Sequence, residues 1–144
     1  MTDPDLVRFI EAQDGARRAV TAELEAGRKA SHWMWFVFPQ LAGLGRSPAA
    51  QRYAIRDLDR ARRYLADPVL GPRLRHDVGL MLRHAGRSAT DILGTPDDLK
   101  FRSCLTLFRA AATLPEDRTF MQAALDRFYG GAADPFTMAR LGDG

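Results

Sequence analysis

Thr95-Pro96-Asp97-Asp98-Leu99-Lys100-Phe101-Arg102-Ser103-Cys104-Leu105-Thr106-Leu107-Phe108 is the stretch on which the fold class turns. Thr95 is placed to cap a helix and Pro96 to take its first position, where a missing N–H costs nothing. Asp98, at the third position, can return a capping bond in the manner of Glu or Gln. Both acids sit at the positive end of the resulting dipole. Leu99, Cys104, Leu107, Phe108 and Ala111 follow at helical spacing, so the segment predicts a helix with one apolar face.

The same punctuation recurs on both sides. Asp3-Pro4 opens a first helix through Leu6, Phe9, Ile10 and Gln13. Gly15 is expected to break or bend it, and a second helix carries Ala16, Ala19, Val20 and Leu24 to a stop at Gly27. Ser47-Pro48 predicts a longer helix with Ala50, Tyr53, Ala54, Leu58, Ala61 and Leu65 on its apolar face. Asp67-Pro68 restarts the pattern, and Ser88 to Leu93 is a short helix ended by Gly94. Pro115 precedes a last helix stopped by Gly130-Gly131, after which a short tail is expected to fray. No stretch alternates with period two, and no Asn-Gly hairpin signal occurs. The prediction is an all-α fold, a single compact domain over residues 1–144 with about seven helices, and frayed ends at 1–3 and 138–144.

A chain of 144 residues with 46% hydrophobic and 27% charged residues has the make-up of one globular domain rather than a disordered or fibrous chain. It can bury about 70% of its unfolded surface without staples. One cysteine, Cys104, excludes a disulfide within the chain and a Cys-rich zinc site. The longest apolar run, Trp33–Phe38, is far short of the ~20 residues that span a bilayer. The polar, acidic start is unlike a signal peptide. A cytoplasmic monomer with no membrane partner is the expectation.

The aromatic run has an unusual setting: Gly27-Arg28-Lys29-Ala30-Ser31-His32-Trp33-Met34-Trp35-Phe36-Val37-Phe38-Pro39-Gln40. Both tryptophans fall in it. A helix apolar all round must be wrapped by others, so this segment is expected to be the central helix of the core. Its polar flanks are then drawn inward, and two uses are open. Lys29 and His32, at i and i+3, can serve as a reactive ammonium and a general acid–base, with Trp33 or Trp35 as a stacking wall. Alternatively Ser31 caps the aromatic helix while Lys29 and His32 satisfy nearby carbonyls.

Basic chemistry is concentrated elsewhere. Of 21 basic residues only Lys29 and Lys100 are lysines, so these two positions are candidates for needing a compact, titratable ammonium. Gly43-Leu44-Gly45-Arg46-Ser47-Pro48 feeds a helix and is read either as a plain turn or as a phosphate loop with Arg46 as clamp. Arg52, Arg56, Arg60 and Arg63 form a stripe at i, i+4, i+8 and i+11. Asp57 and Asp59 are interleaved and no aromatic platform accompanies them, which makes the stripe a solvated face, with no nucleic acid expected. Apolar neighbours make Cys104 an inert thiol. No metal or cofactor is predicted.

Ser31 through Gln40, followed by Gly43-Leu44-Gly45, resembles the domain-of-unknown-function family numbered 1810. The resemblance continues through Tyr53-Ala54-Ile55, Tyr64-Leu65, Leu70-Gly71-Pro72-Arg73-Leu74, Pro96-Asp97-Asp98-Leu99-Lys100 and Leu105-Thr106-Leu107-Phe108. Cys104 stands where a second serine is expected after Ser103, and Leu93 where an aromatic is expected. The family implies a compact all-α fold and no established activity. A further similarity, in a Lys-bearing aromatic segment followed by Ala-rich helices, is to NADAR proteins, which are linked to NAD and ADP-ribose chemistry; no catalytic residue is carried over from them. The resulting expectation is binding or hydrolysis of a phosphorylated, nucleotide-like or ribosyl small molecule beside Lys29–Gln40. Its candidate catalytic residues are Lys29 and His32, and its candidate ligand residues Ser31, Trp33, Trp35, Gln40, Arg46, Lys100 and Ser103. A non-enzymatic interaction or ligand-sensing domain is the alternative.

Overall fold

The computed structural model describes residues 3–142. Within them the chain is all-α: a 3-10 turn at Pro4–Leu6 precedes α1 (Val7–Ala26), α2 (Met34–Val37), α3 (Pro48–Arg52), α4 (Leu58–Ala66) and α5 (Leu70–Leu82). α6 (Ala89–Leu93), α7 (Asp97–Ala111), α8 (Pro115–Tyr129) and α9 (Pro135–Gly142) complete it. Among the described residues there are nine helices against the expected seven: the segment from Ser47 divides in two and the tail expected to fray forms α9, while the break expected at Gly15 is absent. Gly15 does not break α1, which runs unbroken for 20 residues. One exposed glycine costs about 1 kcal/mol in a helix, less than the burial of Phe9, Gln13, Val20 and Leu24 along one face returns.

The helix expected from Ser47 to Leu65 is instead two. Ser47 caps α3 and Asp57 caps α4, each side chain accepting a backbone N–H. Between them Ile55 leaves helical geometry and forms an isolated bridge to Leu41. Its N–H donates to the Gln40 carbonyl at 2.9 Å and its own carbonyl accepts from Ala42 at 2.7 Å. That geometry carries the β-branched Ile55 side chain into the core. α7 begins at Asp97, with Pro96 rather than Thr95 at the cap position. The Thr95 hydroxyl donates to the Asp98 carboxylate at 2.9 Å, so Asp98 organises the turn by accepting side-chain donors.

The helix at the centre is α7, packed against α4, α6, α8 and α9. Six consecutive residues, Ser103 to Phe108, are buried in it. The aromatic run makes only one helical turn, Met34–Val37, and lies against α1. Trp33 is buried, while Trp35 is only partly so. A polar seam crosses the core beside it. Gln13 donates to the Phe36 carbonyl at 2.7 Å and to the Tyr64 hydroxyl at 3.0 Å. Arg17 grips the buried Asp77 carboxylate through two bonds of 2.8 and 2.9 Å. The tail beyond Asp134 forms α9 as far as Gly142, with the Asp134 carboxylate accepting from the N–H and hydroxyl of Thr137. Residues 1, 2, 143 and 144, where fraying was expected, lie outside the described residues. Among the described residues no helix is long and apolar enough to cross a membrane.

Candidate functional site

α1 stops at Gly27, whose φ of 73° is left-handed. A Cβ there would also crowd the Arg87 guanidinium at 2.5 Å and the His84 ring at 2.9 Å, so a side chain is strained by the backbone and must displace its neighbours. The chain then turns along the end of α6, where the Lys29 N–H donates to the Ile92 carbonyl at 2.8 Å. This fixes Lys29 opposite the first turn of α7. Lys29 Nζ lies 3.0 Å from Asp97 Oδ2, and Lys100 Nζ lies 3.5 Å from Asp97 Oδ1.

The two lysines of the chain, 71 positions apart, therefore share one carboxylate. Each also stands over a tryptophan: Lys29 over Trp33 at 5.2 Å and Lys100 over Trp35 at 5.3 Å from the ring centroids. Two ammonium groups on one carboxylate leave one positive charge over. The helix dipole adds to the hold on Asp97, since its carboxylate sits at the N-terminal end of α7.

Glu23, in the last turn of α1, organises the approach to this cluster. It accepts from the N–H groups of Ala30 at 2.5 Å and Ser31 at 2.8 Å, from the Ser31 hydroxyl, and from the Trp33 indole N–H at 3.0 Å. Burial alone would raise its pKa. The bonds from Ser31, Ala30 and Trp33 outweigh that and hold it at about 2. Ser31 thus does not cap the aromatic turn, whose cap position, Trp33, makes no side-chain cap bond. Glu23 is not among the expected site residues. The available signal was a carboxylate at the wrong end of a helix dipole, a position that needs donors from elsewhere.

A cavity of about 480 Å³ opens on the other side of Lys100. Lys100, Gln40 and Ser103 line it, together with Leu99, Arg102 and Phe136. Leu99 and Phe136 are 56% and 72% exposed, an unusual state for two large apolar side chains flanking one cavity. The Ser103 hydroxyl donates to the Leu99 carbonyl at 3.3 Å. Arg102 spends two donors on the carbonyls of Ala132 and Ala133, each at 2.9 Å, and keeps the rest of its fork. Arg102 was passed over between Lys100 and Ser103, and Phe136 falls beyond the last helix expected; α7 and α9 bring them to the cavity.

The expected residues thus fall into three groups. Gln40, Lys100 and Ser103 share the cavity. Lys29, Trp33 and Trp35 stand around Asp97 or its lysines, next to the cavity but outside its lining. His32 and Arg46 are exposed and also outside the lining, and Ser31 is engaged by Glu23. Cys104 is buried and its thiol pKa is pushed up by that burial, which suits an inert side chain. His84 bonds the Leu24 carbonyl at 2.6 Å and His76 lies beside Asp77. Among the described residues no group of three His, Cys, Asp or Glu side chains is placed to hold a metal ion.

The family model described as "Protein of unknown function (DUF1810)" matches residues 3–141. The crystal structure of the conserved hypothetical protein Rv1873 from Mycobacterium tuberculosis is similar at 50% identity and a TM-score of 0.93. The match covers 97% of this chain and 99% of that one. A search of the curated proteins finds no match.

Proposed function

This chain belongs to the DUF1810 family, and we propose that it binds a phosphorylated or ribosyl small molecule in the cavity beside the Lys29–Gln40 segment. The observation that carries this reading is Lys100 at the edge of a ligand-sized cavity, its ammonium held by a carboxylate shared with a second lysine. Pockets of roughly 300–1,000 Å³ with an apolar lining and a few convergent polar groups are the usual form of small-molecule sites. Here Leu99 and Phe136 offer apolar surface to a planar or sugar body, and Gln40 supplies an amide. Lys100 and the unspent donors of Arg102 supply positive charge for a phosphate. Lys29 acts through Asp97, as a residue that positions Lys100.

Binding fits this geometry better than hydrolysis. No histidine or cysteine is among the residues lining the cavity, its serine is engaged by a backbone carbonyl, and its carboxylate, Asp134, accepts from the N–H and hydroxyl of Thr137. A protein-interaction domain is the second reading, favoured by the exposure of Leu99 and Phe136.

A thermal-shift series with NAD, ADP-ribose, nucleotides and sugar phosphates tests the proposal. A ligand at 100 times its Kd adds about 2.7 kcal/mol, several degrees in Tm for a domain of this size. The expected result is a rise in the native protein that Lys100→Ala reduces. No rise with any of these compounds moves the reading to the interaction domain.

A further inference from the structure

We propose a second anion site on the opposite side of the Gly43–Gly45 turn, formed by Arg8, Arg52 and Arg56 and suited to the phosphoryl group of a small molecule. The expected stripe of four arginines does not exist, because the chain leaves helical geometry between α3 and α4. Arg60 and Arg63 stay on α4 and are neutralised. Arg60 pairs with Asp5 at 2.9 Å and Asp57 at 2.8 Å, and Arg63 with Asp3 at 2.8 Å and Asp59 at 3.0 Å. Arg52 and Arg56 meet Arg8 of α1 around a cavity of about 450 Å³, although Arg56 also borders a neighbouring cavity with Asp57 and Asp59. Gly43 and Gly45 form part of its wall, and no carboxylate is among its lining residues.

Arg8 is pre-set for this role. Its Nε donates to the Arg52 carbonyl at 2.8 Å and its Nη2 to the Ala54 carbonyl at 3.1 Å. The guanidinium also lies 4.6 Å from the centroid of the Phe9 ring. Of its five N–H donors, those on Nη1 and one on Nη2 are left over by these two bonds. Burial lowers its pKa, and the fields of Arg56 and Arg52 act in the same direction against Asp5. A dianionic group entering among the three cations would relieve that repulsion and accept two or more charge-assisted bonds.

The shape of the charge selects a small ligand over a nucleic acid. A strand needs a basic track, and here the track ends at Arg56 because the next two arginines of the stripe are already paired with acids. This site does not depend on the reading of the Lys100 cavity; the turn separates the two, since Gly43 and Gly45 wall both.

Titration calorimetry with inorganic pyrophosphate at low ionic strength tests the assignment. The expected result is one site in the native protein, weakened about tenfold in Arg56→Ala and in Arg52→Ala, both with unchanged Tm. Lys100→Ala is expected to bind as the native protein does. No heat of binding to the native protein would overturn the proposal, as would native affinity in Arg56→Ala. Loss of binding in Lys100→Ala with retention in Arg56→Ala would place the anion in the other cavity and also overturn it. A single-stranded oligonucleotide that binds more tightly than pyrophosphate through Arg52 and Arg56 would overturn it in favour of a nucleic-acid face.

Discussion

Lys29 Nζ and Asp97 Oδ2, 3.0 Å apart, tie the loop after α1 to the first turn of α7. The pair is partly buried, with side chains 10% and 18% exposed. Its environment is therefore less screened than a surface ion pair's. Asp97→Asn is expected to cost about 1–2 kcal/mol by urea denaturation, through lost pairing and lost dipole stabilisation. A double-mutant cycle with Lys29→Ala should show coupling of at least about 0.5 kcal/mol. Additive effects would mean that the two groups are merely adjacent.

The two tryptophans are expected to differ. Trp33 is among the fully buried large side chains and Trp35 is not. Trp33→Ala should destabilise the protein by about 3–5 kcal/mol, the range for buried aromatic truncations. Trp35→Ala should cost about 1–2 kcal/mol, chiefly partial burial and its contact with Lys100. Equal costs, measured by chemical denaturation, would contradict this division.

Glu23 gives the stability a pH dependence. Its folded-state pKa of about 2 lies below its ordinary 4.5, so the folded state binds its proton less readily than the unfolded chain does. The contribution is complete above pH 4.5 and disappears as pH falls towards 2. Glu23→Gln should therefore have a flatter Tm profile over that window than the native protein. Parallel profiles would show that the loop N–H groups do not depend on the charge.

Arg17 is the clearest case of a partner that cannot be removed cheaply. Asp77 is 2% exposed in its side chain and is gripped by both terminal nitrogens of Arg17. Arg17→Ala leaves a buried carboxylate without that fork, at an expected cost of about 3 kcal/mol. Adding Asp77→Asn to Arg17→Ala should recover part of the loss, because the stranded charge goes with it. No recovery in the denaturation midpoint would rule out an unpaired charge as the cause.

Much of the fold could be read from local chemistry, and what failed was non-local. Asp3, Ser47 and Ser88 all accept cap bonds from the backbone of the elements they open, and Gly27 and Gly130 stop α1 and α8 with positive φ. The stop between Arg52 and Leu58 could not be read, because its cause is the pairing of Ile55 with Leu41. The aromatic run misled for a related reason: hydrophobicity without period identifies burial and not helix length. At the site, the scarcity of lysine pointed to Lys29 and Lys100, and they do meet. Asp97 was legible only as a helix-start acid. Its second role, between two ammonium groups, exists only once α1, α6 and α7 have packed.

The central claim, that the cavity at Lys100 takes a phosphorylated or ribosyl small molecule, is tested most directly by an amide NMR titration of the native protein with ADP-ribose. Saturable shifts are expected at Gln40, Leu99, Lys100, Ser103 and Phe136, absent in Lys100→Ala. Saturable shifts confined to Arg8, Arg52 and Arg56, or no shifts at millimolar ligand, would contradict it.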